Sequence, residues 1–189
     1  MPSLDRSYFD DIYAEDVDPW GFETRWYEQR KYALTVAALP EPRYRSAFEP
    51  GCSIGVLTAL LAPRCDRLLA TEIVESALMR AEERLADADH VTLVRSAIPE
   101  EWPSETFDLV VLSEIAYYFD ATALDDVVGR LLGSTVPGAT VVAAHWRGET
   151  NYPLTGDAAH RILADRAEFE PLAHHLEADF VLDVWRTRR

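Results

Sequence analysis

The segment from Phe48 to Gly55 constrains this chain most, because it joins a strand end, a glycine turn and the start of a helix. A short apolar run at residues 46–48 precedes the turn, and a helical pattern follows it. Gly51 and Gly55 let the backbone adopt positive φ and let a ligand approach closely. The helix start offers N–H groups that have no partner within the helix. Such a segment is typical of a nucleotide-binding loop.

A second apolar run ends in a carboxylate at Glu72, at roughly the distance along the chain where folds of this kind place an acid on the ribose hydroxyls. The loop itself carries Ser53, whose side chain crowds the approach that a pyrophosphate needs. It also has no P-loop lysine. These features predict an adenosine-type cofactor, and they favour S-adenosylmethionine, which has no phosphate, over NAD or ATP.

Strand and helix patterns alternate along most of the chain, which predicts an α/β fold with a parallel sheet covered by helices on both faces. A turn is expected at residues 136–139, and two extended runs at the end predict an antiparallel hairpin. The predicted strands are residues 47–49, 67–71, 91–94, 107–112, 140–144, 170–175 and 180–186. The predicted helices are residues 23–39, 54–62, 75–86, 121–132 and 157–165.

With 189 residues, 48% of them hydrophobic, the chain is long enough for one well-buried domain and short for two. We expect a single domain in which residues 41–189 form the Rossmann-like core. Residues 1–40 are extra to that core, and we expect them to form a helical cap or lid.

The formal net charge is −15, from 33 acidic and 18 basic residues. A surface this negative repels phosphate backbones, so we expect no nucleic-acid partner. No apolar run approaches the length of a membrane span, and the first residues lack a signal-peptide pattern. Cys52 and Cys65 have neither metal-ligand nor redox spacing, and we expect no metal site. We therefore expect a cytoplasmic protein without membrane partners.

Seven groups of residues carry a family resemblance across nearly the whole chain. They are residues 8–13, residues 18–20 with 27–31, residues 48–57, residues 107–118, residues 145–148, residues 152–157 with His160, and residues 183–185. On these segments the chain resembles class I S-adenosylmethionine-dependent methyltransferases, and within them the NodS family of nodulation methyltransferases. The resemblance implies a seven-stranded, mostly parallel sheet that ends in an antiparallel hairpin. It also implies N-methylation of a free amine on a deacetylated chitooligosaccharide, a carbohydrate substrate, with S-adenosylhomocysteine as the second product.

The cofactor site is expected at the carboxyl ends of the first strands. Glu49 would either accept from the methionine ammonium directly or orient the loop, and Glu72 would accept from the ribose hydroxyls. Relatives carry an acid after the third strand, whereas this chain offers Ser96 and the Ala97 backbone to the adenine. The full set of expected contacts is Trp20, Arg30, Glu49, Gly51, Cys52, Ser53, Gly55, Glu72, Ile73, Ser96, Ala97 and Ser113.

Arg30 is expected on the inward face of the helix at residues 23–39, which it shares with Trp26, Ala33, Leu34 and Ala37 at helical spacing. One interpretation is a clamp on the carboxylate of the methionine part. The other is a structural ion pair or a side chain that extends towards solvent.

Catalytic residues are expected above the carboxyl ends of the fourth and fifth strands. An amine is nucleophilic only when neutral, so a carboxylate or imidazole should take its proton. The candidates, ordered by proximity to the strand ends, are His145, Glu114, Asp157 and His160. The flat faces expected to hold a sugar ring or a cationic methyl centre are those of Tyr117, Tyr118 and Trp146.

Two alternatives stay open from the sequence. One is a small-molecule O-methyltransferase of the same fold, since the acceptor is not encoded in the cofactor loop. The other is a protein that binds S-adenosylmethionine without catalysis. A nicotinamide oxidoreductase is disfavoured by the loop chemistry at Ser53.

Overall fold

The computed structural model describes residues 1–188, which build one seven-stranded sheet in the order β3-β2-β1-β4-β5-β7-β6. The strands are β1 Ala47–Pro50, β2 Leu68–Glu72, β3 Val91–Arg95, β4 Phe107–Ser113, β5 Thr135–Trp146, β6 Phe169–Leu176 and β7 Phe180–Thr187. The helices are α1 Arg6–Glu15, α2 Trp26–Ala37, α3 Val56–Leu61, α4 Glu75–Arg84, α5 Ala121–Gly133 and α6 Gly156–Ala164.

The first five strands pair in parallel, and β7 lies antiparallel between β5 and β6. This confirms the predicted sheet with its C-terminal hairpin. The strand order reverses direction at β1, because β2 lies on one side of it and β4 on the other. The loops that follow these strands therefore diverge and leave a crevice at the carboxyl edge of the sheet.

The central strand β4 carries apolar side chains on both of its faces, as is typical of a parallel strand in a sheet that is covered on both sides. Leu109 and Val111 pack into one core cluster. Val110 and Leu112 pack into the other. No helix within residues 1–188 has the length and apolar character that a membrane crossing needs.

The turn predicted at residues 136–139 is wrong, because β5 runs through it from Thr135 to Trp146. Gly138 has a φ of +78°, and the pairing of β5 with β4 shifts between Phe107 and Leu109. The proline and glycine that predict a turn instead form a bulge, which bends the strand without ending it.

The N-terminal region contains a helix that the sequence patterns did not predict. Asp5 is the N-cap of α1, and its carboxylate accepts the Tyr8 N–H at 3.3 Å. The predicted inward face of α2 is also wrong, since Trp26 is 72% exposed and Arg30 pairs with Glu177 at 2.6 Å.

The buried face of α2 is instead the one that carries Glu28, Lys31, Tyr32 and Thr35. Two of these residues are charged, so hydrophobic periodicity could not identify this face.

Gly55 generates a test of the loop geometry, because its φ is +77° and a Cβ there would lie 3.0 Å from the Ala81 Cβ and 3.1 Å from the Ala81 Cα. Gly55→Ala should destabilise the fold by about 1–3 kcal/mol through strain and overpacking. The matched control is Gly129→Ala on α5, where nothing lies within 4 Å. It should stabilise the fold by about 0.5–1 kcal/mol. Urea denaturation of both variants checks this, and equal effects would contradict it.

Candidate active site

The crevice beside β1 holds a cavity, called here the loop pocket, which is lined by the ends of β1, β2 and β4 and by the N-terminal segment. Most residues expected to bind a cofactor lie around it. They are Trp20, Glu49, Gly51, Cys52, Ser53, Glu72, Ile73, Ser96, Ala97 and Ser113. Gly55 is not among the lining residues, and it packs closely against Ala81 of α4.

The loop after β1 is held in an unusual backbone conformation. Gly51 has a φ of +70°, and a Cβ there would lie 2.7 Å from the Ile115 Cδ1. Ser53 also has a positive φ, +52°, although it is not glycine. Its hydroxyl bonds to the hydroxyl of Tyr13 on α1, and this contact compensates for the strained backbone.

The carboxylate of Glu72 fixes the loop from the end of β2. Its Oε2 accepts the Ser53 N–H at 2.8 Å, and its Oε1 accepts the N–H groups of Ile73 and Val74 at 2.8 and 2.9 Å. A carboxylate has about four acceptor positions. Three are used within the protein, so Oε2 keeps one for a ligand hydroxyl.

Glu49 is buried at the end of β1, where it lines the loop pocket. Its Oε2 has no hydrogen-bond partner among residues 1–188. Burial raises the pKa of this carboxyl to about 8. The Ser113 hydroxyl lines the same pocket and is likewise buried without a partner in the described chain. Unpaired buried polar groups are costly, so these two atoms mark where a polar ligand group fits.

The loop after β3 differs from the expected adenine contacts. The Ala97 N–H donates to the Glu101 Oε2 at 2.8 Å, and the Ser96 hydroxyl donates to the Glu101 carbonyl at 3.0 Å. The Glu101 carboxylate therefore accepts the hydrogen bond of the Ala97 N–H, the group that was expected to donate to an adenine nitrogen. An acid is present in this loop after all, and it lies four residues beyond Ala97 in the sequence.

The N-terminal segment covers the loop pocket. Leu4, Phe9 and Tyr13 line it together with Trp20. The Leu4 N–H donates to the Tyr118 carbonyl at 2.9 Å, which ties this segment to the loop after β4. The helical cap expected from the sequence stays a prediction as far as its motion is concerned.

A second cavity, called here the aromatic pocket, adjoins the first and is lined largely by aromatic rings. These rings are Trp20, Phe22, Trp26, Tyr27, Tyr117, Tyr118, Trp146 and Tyr152. Its charged lining residues are Arg25, Glu28, Glu114 and Asp179. Aromatic faces and an excess of carboxylates suit a ligand that is cationic or carries flat apolar faces.

Glu114 lines both pockets and sits in the left-handed region with a φ of +54°. Its Oε1 accepts from Lys31, and its Oε2 accepts from the Tyr117 hydroxyl and from the Trp146 N–H at 3.1 Å. A strained residue that all these contacts hold in place is a hallmark of functional sites.

Lys31 is the buried cation beneath this junction and was not predicted as a site residue. It is 1% exposed, and its ammonium contacts the carboxylates of both Glu28 and Glu114. Burial alone would lower the pKa of Lys31, but these two carboxylates raise it above the usual value. The rings of Tyr27 and Tyr32 lie 5.1 and 5.3 Å from the ammonium and add cation–π attraction.

His145 and His160 line neither pocket, unlike the sequence expectation for them. The Ala116 N–H donates to the His145 Nε2 at 2.9 Å, so the other nitrogen, Nδ1, carries the proton and donates to the His160 Nε2 at 2.9 Å. His160 then donates through Nδ1 to Asp183 at 2.6 Å. This chain of hydrogen bonds holds the loop after β4 in place through the Ala116 N–H.

Asp157 and Arg30 are also not brought to either pocket. Asp157 binds Arg147 through two contacts, at 2.7 and 3.1 Å, and this pairing lowers the pKa of its carboxyl. Arg30 bonds to both oxygens of Glu177 at 2.6 Å, so the interpretation as a structural ion pair describes its contacts. Within residues 1–188, no group of three or more His, Cys, Asp or Glu side chains is arranged to hold a metal ion.

The strand order, the crevice at β1 and the acid at the end of β2 together define the class I methyltransferase fold. A crystal structure of a putative methyltransferase from Pseudomonas syringae is 45% identical, with a TM-score of 0.77 over 86% of this chain and 99% of that chain. The N-methyltransferase NodS from Bradyrhizobium japonicum WM9, crystallised with S-adenosyl-L-homocysteine, is 22% identical. It superposes with a TM-score of 0.87 over 97% of this chain and 98% of that one.

The family model for nodulation protein S (NodS) matches residues 10–136. Nodulation protein S from Rhizobium tropici is 32% identical over 127 residues, which are 66% of this chain and 53% of that protein. The chain belongs to the NodS family. Its match spans about half the length of that curated relative.

The buried His145 generates a prediction about stability and pH. Burial, followed by the nearby His160 and Lys31, lowers the pKa of His145 well below its usual value. Below about pH 6.5 the unfolded chain binds a proton at this position that the folded protein does not, so stability falls as the pH falls.

Urea denaturation between pH 5 and 6.5 should show this loss, at up to about 1.4 kcal/mol per pH unit from this residue. His145→Gln should lower stability at pH 7.5 and reduce the slope of unfolding free energy against pH by about one proton. An unchanged slope would show that another group causes the acid sensitivity.

Proposed function

We propose that this protein is an S-adenosylmethionine-dependent N-methyltransferase that acts on an amine-bearing small molecule. The observation that carries the proposal is that the loop pocket and the aromatic pocket meet at Glu114. A methyl donor in the first pocket and an acceptor in the second would then face each other across one carboxylate. Close approach of this kind supplies much of the rate of a displacement reaction.

The residues of the loop pocket fit the cofactor. The Glu49 Oε2, which has no hydrogen-bond partner within residues 1–188, matches the ammonium of the methionine part, which would supply the missing positive charge. The free acceptor position on Glu72 matches a ribose hydroxyl. Gly51 lines this pocket with a φ of +70°, and the lack of a side chain there lets a ligand approach the backbone closely. Arg30 is not part of this proposal.

When bound, S-adenosylmethionine would supply a methyl group on a sulfonium to a nucleophile in line with the carbon–sulfur bond, and the electron pair of that bond would stay on sulfur. The protein aligns the two partners and excludes water. Trp20 and Phe22 line both pockets. Glu114, held by Lys31, Tyr117 and the Trp146 backbone, keeps its carboxylate at the point where the pockets meet.

An aminosugar or a deacetylated chitooligosaccharide is the acceptor that we propose first. The aromatic pocket offers indole and phenol rings on which sugar faces can stack, and Glu28, Glu114 and Asp179 favour a cation. The name of the Bradyrhizobium protein, an N-methyltransferase, supports an amine acceptor. The formal net charge of −15 also disfavours a polyanionic partner.

The experiment that tests the proposal measures calorimetric binding of S-adenosylhomocysteine and then methyl transfer from S-adenosylmethionine. Glucosamine oligomers are offered as acceptors beside their N-acetylated counterparts and a panel of phenols. We expect binding, and transfer only to the free amines. Transfer to phenols alone would favour an O-methyltransferase. Binding without any transfer would favour a non-catalytic protein, and no binding would refute the proposal.

Glu49 gives a second prediction, because its ionised form is needed to pair with a ligand ammonium. The carboxyl is protonated below about pH 8 in the free protein, so affinity for S-adenosylhomocysteine should rise from pH 6 to pH 8. The rise should be at most about tenfold per pH unit. Glu49→Gln should weaken binding by about 10- to 100-fold at pH 8 and abolish this pH dependence.

The matched control is Glu149→Gln, which removes an exposed carboxylate outside both pockets. It should bind as the wild type does at every pH. Equal pH profiles for the wild type and Glu49→Gln would contradict the assigned role of Glu49.

A further inference from the structure

One buried carboxylate and one partly buried carboxylate share one ammonium beneath the aromatic pocket. Glu28 is 5% exposed, and its Oε2 lies 2.8 Å from the Lys31 Nζ. The same ammonium bonds to the Glu114 Oε1. With both acids ionised, this triad of Glu28, Lys31 and Glu114 carries a formal charge of −1. A buried net charge is costly unless something of opposite sign neutralises it.

The two carboxylates of the triad differ in how fully they are hydrogen-bonded. Glu114 accepts from Lys31, from the Tyr117 hydroxyl and from the Trp146 N–H. Among residues 1–188, the Glu28 carboxylate forms its ion pair with Lys31. Its Oε2 has no aligned hydrogen bond within the same residues. Glu28 itself lines the aromatic pocket. Burial raises the pKa of Glu28 despite the opposing effect of Lys31.

We propose that Glu28 is the residue that receives the acceptor: it binds the substrate ammonium in the aromatic pocket and takes its proton. The inference rests on the proposed N-methyltransferase function and names a residue that the sequence patterns did not single out. Lys31 and Glu114 are positioning residues in this scheme. Lys31 spaces the two acids, and Glu114 holds the ring of Tyr117 and the end of β5 against the pocket.

The proton balance of this step avoids a new buried charge. The triad, at −1, and a bound ammonium, at +1, sum to zero. One N–H bond of the ammonium breaks, its electron pair stays on nitrogen, and the proton forms an O–H bond on Glu28. The triad and the amine are then each neutral, so the sum is still zero. The amine that remains has the free electron pair that methyl transfer needs. Glu28 returns the proton to solvent once the methylated product, again a cation, has left.

The first test compares Glu28→Gln with the control Glu149→Gln. Ligand binding is followed by tryptophan fluorescence, since Trp20, Trp26 and Trp146 line the pocket. The probes are glucosamine trimer, cyclohexylamine and 2-phenylethylamine, each beside a neutral counterpart (N-acetylated trimer, cyclohexanol, 2-phenylethanol), without cofactor. We expect Glu28→Gln to lose at least about tenfold in affinity for the amines. Affinity for the neutral probes and for S-adenosylhomocysteine should stay unchanged, and Glu149→Gln should match the wild type throughout.

The second test uses methyl transfer as a function of pH. At pH 7 the rate of Glu28→Gln should fall by about 100-fold or more, the usual contribution of a general base. The deficit should shrink above the pKa of the acceptor amine, because the amine then arrives neutral. Glu28→Asp, which keeps the charge, should recover part of the rate at pH 7. A purely structural role would leave a deficit that does not depend on pH.

The outcomes separate this inference from the proposed function. If S-adenosylhomocysteine binds but Glu28→Gln binds amines as the wild type does, the role of Glu28 is refuted and the proposed function stands. If the wild type binds none of the three amines, the role of Glu28 is also refuted. If S-adenosylhomocysteine itself fails to bind, the proposed function falls. Should Glu28→Gln not fold, as judged by circular dichroism, Glu28→Asp and the wild-type pH profile carry the test.

Discussion

The reversal of strand order at β1 is the constraint on which the rest of the structure depends. Because β2 and β4 flank β1, the loops that follow these strands open away from each other at one edge of the sheet. Glu72 and Ser113 are the last residues of β2 and β4, and Glu49 is the last but one residue of β1. The polar atoms of the loop pocket are thus placed by the sheet, and the remaining elements close the crevice around them.

The cofactor half of the site was largely predictable, because its residues are close in sequence to the strands that carry them. Periodicity locates the strand ends, and the glycine spacing indicates the turn between β1 and α3, so Glu49 and Gly51 follow from local patterns. Glu72 follows from its position at the end of the next strand. The bulge at Gly138 was not predictable in this way, since proline with glycine signals a turn equally well.

The acceptor half could not be predicted, because it depends on contacts between distant parts of the chain. Lys31 meets Glu114 across 83 positions, and no local pattern links the two. Its burial also contradicts the usual rule that charged residues face solvent, so the helix α2 was assigned the wrong inward face. His145 lies within β5 and not after it, and its partners Ala116 and His160 hold it away from the pockets.

The bulge in β5 determines which face of the sheet each later side chain of that strand lies on. Phe107 pairs with Thr135, but Leu109 pairs with Thr140, so β5 takes five steps where β4 takes two. Three extra residues are an odd number, and side chains alternate between the two faces of a strand. The insertion therefore exchanges the faces for all later positions. Loss of a single residue between Val136 and Ala139 would move the His145 imidazole and the Trp146 indole each to the face of the sheet opposite to the one that it now occupies. Both residues would still be present in the sequence.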